Sequence, residues 1–162
     1  DHYQLHFNHW FKKNLSLTSA LHYTRGRGYF EQYKTGEDFA DYGFAPIDFA
    51  NDTVTTTDLI RRRWLDNHFY GGVFSLNYNK GPLDLVFGGG ANQYVGGHYG
   101  EVIWAEFSST SDIRDRYYDN DATKLEAHAY LKGTYEIGKL TIFPYNLSRK
   151  SFTTPFLKNA KT

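Results

Sequence analysis

The chain contains no cysteine, so disulfides and thiolate metal sites are excluded. Neither sign of charge is in surplus: 18 Lys and Arg balance 18 Asp and Glu. A basic face for nucleic acid is therefore not expected, and neither is an acidic solvating tail. No apolar run approaches the ~20 residues that a membrane-crossing helix needs. Mean hydropathy is −0.62. Together these exclude a helical membrane protein. They leave a β-barrel open, because barrel strands alternate and average out as polar. The chain begins in mid-pattern at Asp1-His2-Tyr3, with no Met and no signal peptide. It is expected to be mature, trimmed or cut from something longer. Its 162 residues suit one compact domain.

What is abundant is aromatic. Tyr (14) and Phe (13) each exceed valine and isoleucine, and Tyr often sits beside Gly. Aromatics favour strands and anchor at membrane interfaces. Period-2 alternation recurs along the chain. Tyr3, Leu5, Phe7 and Phe11 share one face of a first segment. Leu15, Leu17, Leu21 and Tyr23 share one face of a second, which continues to about Tyr33. A third runs from about Asp58 to Tyr78, with Tyr70, Phe74, Leu76 and Tyr78 together. A fourth starts at Leu83, Leu85 and Phe87 and reaches about Trp104. The fifth sets Leu125, Ala127, Ala129, Leu131, Tyr135 and Ile137 against Lys124, Glu126, His128, Lys132 and Glu136. A sixth begins at Leu140 and Ile142 and is expected to stop at Pro144.

Tight polar turns (Lys12-Lys13-Asn14, Asn79-Lys80-Gly81-Pro82, Gly138-Lys139) alternate with long polar stretches at about 34–57 and 105–122. Short turns at one end and long loops at the other characterise an outer-membrane barrel. The apolar faces are strongest beside the short turns. The predicted fold is all-β: an antiparallel up-and-down meander of about six strands, forming part of a large transmembrane β-barrel. Six strands do not close one, since the smallest such barrels use about 8.

Three stretches carry a family resemblance: Leu21-His22-Tyr23-Thr24-Arg25-Gly26-Arg27-Gly28-Tyr29-Phe30-Glu31-Gln32-Tyr33, Thr57-Asp58-Leu59-Ile60-Arg61-Arg62-Arg63-Trp64-Leu65-Asp66-Asn67 with Phe69-Tyr70-Gly71-Gly72, and Gly88-Gly89-Gly90 with Gly97-His98-Tyr99-Gly100-Glu101-Val102-Ile103-Trp104-Ala105. They resemble the barrel of TonB-dependent outer-membrane receptors of the Bacteroides type, over about Tyr3 to Phe143. The resemblance implies a transporter of about 22 strands with a plug in its lumen. It implies a Gram-negative outer membrane, contact with lipid and lipopolysaccharide, and a small ligand such as a metal chelate or siderophore. The plug and the segment that meets TonB are expected in an N-terminal part that this sequence lacks. Residues 1–143 would be partial barrel. Residues 144–162 depart from the pattern, with Ser148-Arg149-Lys150 at would-be membrane depth, and are expected to be an aberrant or disordered tail, as from a frame error or truncation near Phe143. Two other readings stand beside this one: a small oligomeric structural or adhesive barrel, and a soluble β-sheet carbohydrate-binding module.

Ligand-binding candidates fall in two groups. Arg61, Arg62, Arg63 and Trp64 lie where a strand leaves the first long stretch, and Arg forks grip carboxylates and phosphates. Tyr94, His98, Tyr99, Glu101 and Trp104 could stack on and hydrogen-bond to a sugar or an aromatic chelate. For each group the structural alternative is a polar, aromatic strand rim. Glycines 88–90, 96, 97 and 100 precede no helix pattern, so a phosphate loop is not expected. His2 and His6 share a strand face but stand too far apart to chelate one ion unaided. Asp115, Asp119 and Asp121 lack the EF-hand order. No catalytic spacing is present. No enzyme activity, metal site or cofactor is predicted.

Overall fold

A computed structural model of the chain describes residues 1–50, 52–109 and 114–158. The strands are β1 (His2–Lys12), β2 (Leu15–Asp38), β3 (Ile47–Phe49), β4 (Asp52–Val54), β5 (Thr56–Lys80), β6 (Leu83–Ala105), β7 (Arg116–Ile137), β8 (Leu140–Ile142) and β9 (Tyr145–Lys158). The main sheet follows chain order, β1-β2-β5-β6-β7-β8, and β9 also pairs with β7. The outer pairs β1/β2 and β7/β8 are antiparallel. The expected all-β antiparallel meander is therefore the observed fold. β3 and β4 form a separate hairpin. The chain divides into two compact units, and β2, β5, β6, β7 and β9 contribute to both.

The first unit comprises Asp1–Arg25, His68–Tyr94 and Thr123–Thr154. Pairing sets Tyr3 opposite Tyr23 and Leu5 opposite Leu21. Opposed residues share a sheet face, so this pairing builds an apolar surface row by row. Tyr3 and Tyr23 stack at 6.3 Å, and Phe74 meets Phe87 edge-on at 5.6 Å. Tyr135 faces Ile142 and Ile137 faces Leu140. Among the described residues nothing covers this surface: Leu5 is 65% exposed, Leu21 59%, Leu131 51% and Leu140 60%. Among the described residues of the first unit, the only buried ones are Gly88, Gly89 and Gly133. The alternate positions carry His2, Gln4, His6, Thr24, Glu126 and His128, with Phe69 and Val73 among them, so one sheet face is greasy and the other mainly polar. Two of the short turns need a left-handed residue, and Gly81 (φ 60°) and Gly138 (φ 62°) supply it.

Strand pairing does not end at Pro144. The Pro144 carbonyl accepts the Gly133 N–H at 2.9 Å, and β9 runs on beside β7. Proline lacks the donor but keeps the acceptor, so an outermost strand tolerates it. The polarity of β9 is nevertheless reversed. Arg149 donates to Glu126 at 3.0 Å, which puts it on the polar face. Period 2 then sets Tyr145 and Leu147 on that face as well, with Asn146, Ser148 and Lys150 on the apolar side.

The second unit comprises Gly26–Asn67, Val95–Ala122 and Pro155–Thr162. It holds the molecule's hydrophobic core among the described residues: Phe39, Tyr42, Phe44, Leu59 and Val102, flanked by Ile47, Val54, Ala105 and Tyr117. Its source is the first long connection, which is shorter and more ordered than expected. β2 extends to Asp38, whose carboxylate accepts the Ala40 N–H at 3.0 Å and caps a 3₁₀ turn, Phe39–Tyr42. Gly43 (φ 72°) ends the turn, and Phe44 N–H returns to the Phe39 carbonyl at 3.0 Å. This fold drops Phe39 and Tyr42 onto Leu59 and Val102. The second connection is also shorter than 105–122, because β7 begins at Arg116. Residues 110–113 of that connection lie outside the described residues. Asp119 and Asp121 belong to strand β7, while Asp115 precedes it.

Candidate functional site

The candidate arginines do not form one patch. In an extended strand, neighbours point to opposite faces. Arg62 and Trp64 therefore lie on one face of the second unit, Arg61 and Arg63 on the other.

On the Trp64 face, side chains from four strands form a continuous row. Arg62 of β5 lies 4.4 Å over Tyr29 of β2 and donates Nε to Glu31 at 2.9 Å. Tyr29 packs against Trp64 at 4.6 Å. Trp64 is stacked with Tyr99 of β6 at 5.8 Å, and its indole N–H donates to Glu101 at 2.9 Å. Arg27 sits 5.2 Å over Trp64 and pairs with Asp66 at 3.6 Å. Arg116 of β7 lies 3.6 Å over Tyr99 and pairs with Asp119 at 2.8 Å. Each guanidinium is thus attracted to an aromatic quadrupole and neutralised by a carboxylate. Every arginine of the row is paired and Glu101 adds a fourth carboxylate, so the row suits a stiff sheet better than capture of a free anion. Sequence reasoning picked out Arg62, Trp64, Tyr99 and Glu101 but missed Arg27, Tyr29 and Arg116. The missing signal was parity: Arg27 and Tyr29 alternate in β2 as Arg62 and Trp64 do in β5.

On the other face Arg61 is locked. Its Nε and Nη2 both donate to Gln32 Oε1, at 3.3 and 3.1 Å, and its Nη1 donates to the Tyr42 hydroxyl at 2.7 Å. The Tyr42 hydroxyl in turn donates to Glu37. That bond, helped by Lys34 and Arg61, holds the Glu37 carboxyl below its ordinary value. Burial and the Glu37 bond push the Tyr42 phenol up. Arg63 is more open. It donates Nε to the Tyr118 hydroxyl at 3.3 Å and lies between Phe30 (5.6 Å) and Tyr118 (5.8 Å).

The remaining candidates scatter. Tyr94 belongs to the first unit, where it lines a shallow pocket with Phe69, Asn92, Lys124 and Glu126. Lys124 and Glu126 pair there at 2.8 Å. His98 is half-buried and Trp104 is 44% exposed. The N-terminal histidines are bridged through an amide: Gln4 bonds His2 at 2.8 Å and His6 at 3.1 Å, and His2 bonds the Thr24 hydroxyl. Gly88 and Gly100 act as seats for neighbouring aromatic side chains. A Cβ on Gly88 would strike the Tyr130 ring, and one on Gly100 would strike Tyr117 and Tyr118.

No protein-family model, curated protein or solved structure matches the chain.

Proposed function

We propose that this chain is wall of an outer-membrane β-barrel. One observation carries the reading: among the described residues, the first unit presents an apolar sheet face with nothing on it, backed by a mainly polar face, and buries no large side chain. In water such a face invites association. In a bilayer it is the lipid-facing surface, and the polar face becomes the lumen. Strands of 22–25 residues exceed the ~9–11 that cross the hydrocarbon, so part of each strand's length is left to stand outside it. The resemblance in residues 3–143 narrows the reading to a TonB-dependent nutrient transporter. In that assembly this segment supplies barrel wall and part of the ligand mouth. Its partners are lipid, lipopolysaccharide, a plug and a small ligand.

The absence of cysteine makes the test clean. Single cysteines at Leu125 and Ala127 should resist a water-soluble maleimide in intact outer membranes, while cysteines at Glu126 and His128 should react. Equal reaction at all four positions, or recovery of the protein in the soluble fraction, overturns the barrel reading. The transporter reading falls separately, if deleting the gene leaves TonB-dependent uptake unchanged.

A further inference from the structure

We infer that Arg63 and Tyr118 form an oxyanion-binding position for a ligand that carries a phosphate or carboxylate on a ring. The inference deepens the ligand-mouth reading by selecting one arginine from the run and naming the chemistry it takes. Arg27, Arg61, Arg62 and Arg116 each have a carboxylate partner. Among the described residues no carboxylate pairs with Arg63. Its guanidinium is still held in place, between the Phe30 and Tyr118 rings at 5.6 and 5.8 Å and by its Nε bond to the Tyr118 hydroxyl. That bond uses Nε and leaves both Nη groups for a ligand. It also fixes the Tyr118 oxygen as acceptor, which leaves the phenolic O–H free to donate. One ligand oxygen can then take an Nη–H and a second the Tyr118 O–H, so a charged and a neutral donor converge on one oxyanion.

Space is present beside this pair. Two residues before Phe30, on the same strand face, stands Gly28, where even an added Cβ would meet nothing within 4 Å. Phe30 is 47% exposed and offers its ring to a planar ligand group. A guanidinium already stacked and oriented loses little freedom on binding.

The test is titration of the protein expressed from its own gene and purified in detergent, with phenyl phosphate and inorganic phosphate as probes. Phenyl phosphate is expected to bind more tightly than inorganic phosphate. Losing a charge-assisted bond costs about tenfold or more in affinity, expected for Arg63→Gln. Tyr118→Phe keeps the ring and should weaken binding by about threefold to tenfold. Arg62→Gln, on the opposite face, should leave it unchanged. Arg63→Lys, which keeps charge but not the fork, is the control for a variant that fails to fold. Unchanged affinity in a folded Arg63→Gln or Arg63→Lys protein, or no binding at millimolar phenyl phosphate, overturns the inference. So does Arg63-dependent binding of purified lipopolysaccharide alone, which would assign the position to a lipid headgroup. These readouts are independent of the maleimide pattern, so either conclusion can fail without the other.

Discussion

The Trp64 indole donates to Glu101 at 2.9 Å while its ring is stacked with Tyr99 at 5.8 Å, so one side chain links β5 to β6 by a polar and an aromatic contact together. Tyr29 and Arg27 add β2 to the same ring. Trp64→Ala should remove all four contacts and destabilise the second unit by about 3 kcal/mol, the low end for a large aromatic because Trp64 is only half-buried. Trp64→Phe keeps a ring and loses the N–H, so about 1 kcal/mol is expected. Urea unfolding of the two variants measures the difference. Equal costs would mean that the stack contributes nothing beyond the hydrogen bond.

Leu59 of β5 is fully buried where Phe39, Tyr42 and Phe44 of the first connection close over it as a cap. Leu59→Ala should cost about 2–5 kcal/mol by transfer loss and cavity formation. The cap should loosen with it. Limited proteolysis is expected to cut between Asp38 and Thr56 in this variant well before it cuts the parent protein. A cleavage rate matching the parent would show that the cap holds without its central leucine.

Acid should release the same cap. Glu37 is held below its ordinary 4.5, chiefly by the Tyr42 hydroxyl, and Asp58 below its ordinary 3.8, chiefly by Tyr33 and then the Gly36 N–H. A carboxyl whose folded value is depressed stabilises the fold fully above its unfolded value. That stability is lost as pH falls through the folded one. The loss therefore begins near pH 4.5 and continues below 3.8. Glu37→Gln and Asp58→Asn should flatten this pH dependence in thermal melts taken from pH 6 to pH 2.5. A slope identical to the parent's would show that other groups govern it.

The sheet was legible because alternation is a local property: Leu125, Ala127, Ala129 and Leu131 announce a strand face by spacing alone. The cap was not. Phe39, Tyr42 and Phe44 sit in a stretch of mixed polarity, and their spacing matches neither a strand nor a long helix. Only the Asp38 cap and the Gly43 turn make them converge. At the candidate site, Arg61-Arg62-Arg63 read as one cationic run because charge adds along a sequence. Strand parity splits it, and Glu31, Glu37 and Phe30 then give each arginine a different neighbourhood. Those partners lie about 24 to 33 residues away, where spacing along one segment carries no information.

Three glycines in strands predict three different responses to alanine. At Gly71 the new Cβ would strike the Ala91 carbonyl oxygen and the Asn92 side chain. A backbone atom cannot swing aside, so β5 and β6 must part locally, and overpacking of this kind costs about 1–3 kcal/mol. At Gly88 the obstacle is the far end of the Tyr130 ring, which can rotate away at the expense of its seat across the sheet. A smaller cost is expected there, and Tyr130→Ala should abolish it, because the double variant no longer has a ring to displace. At Gly28 nothing lies within 4 Å, so alanine should be neutral or slightly stabilising through its lower unfolded-chain entropy. Ranking the three by urea midpoint tests the assignment. Gly28→Ala proving the most damaging would mean that the space beside Phe30 is occupied in the folded protein.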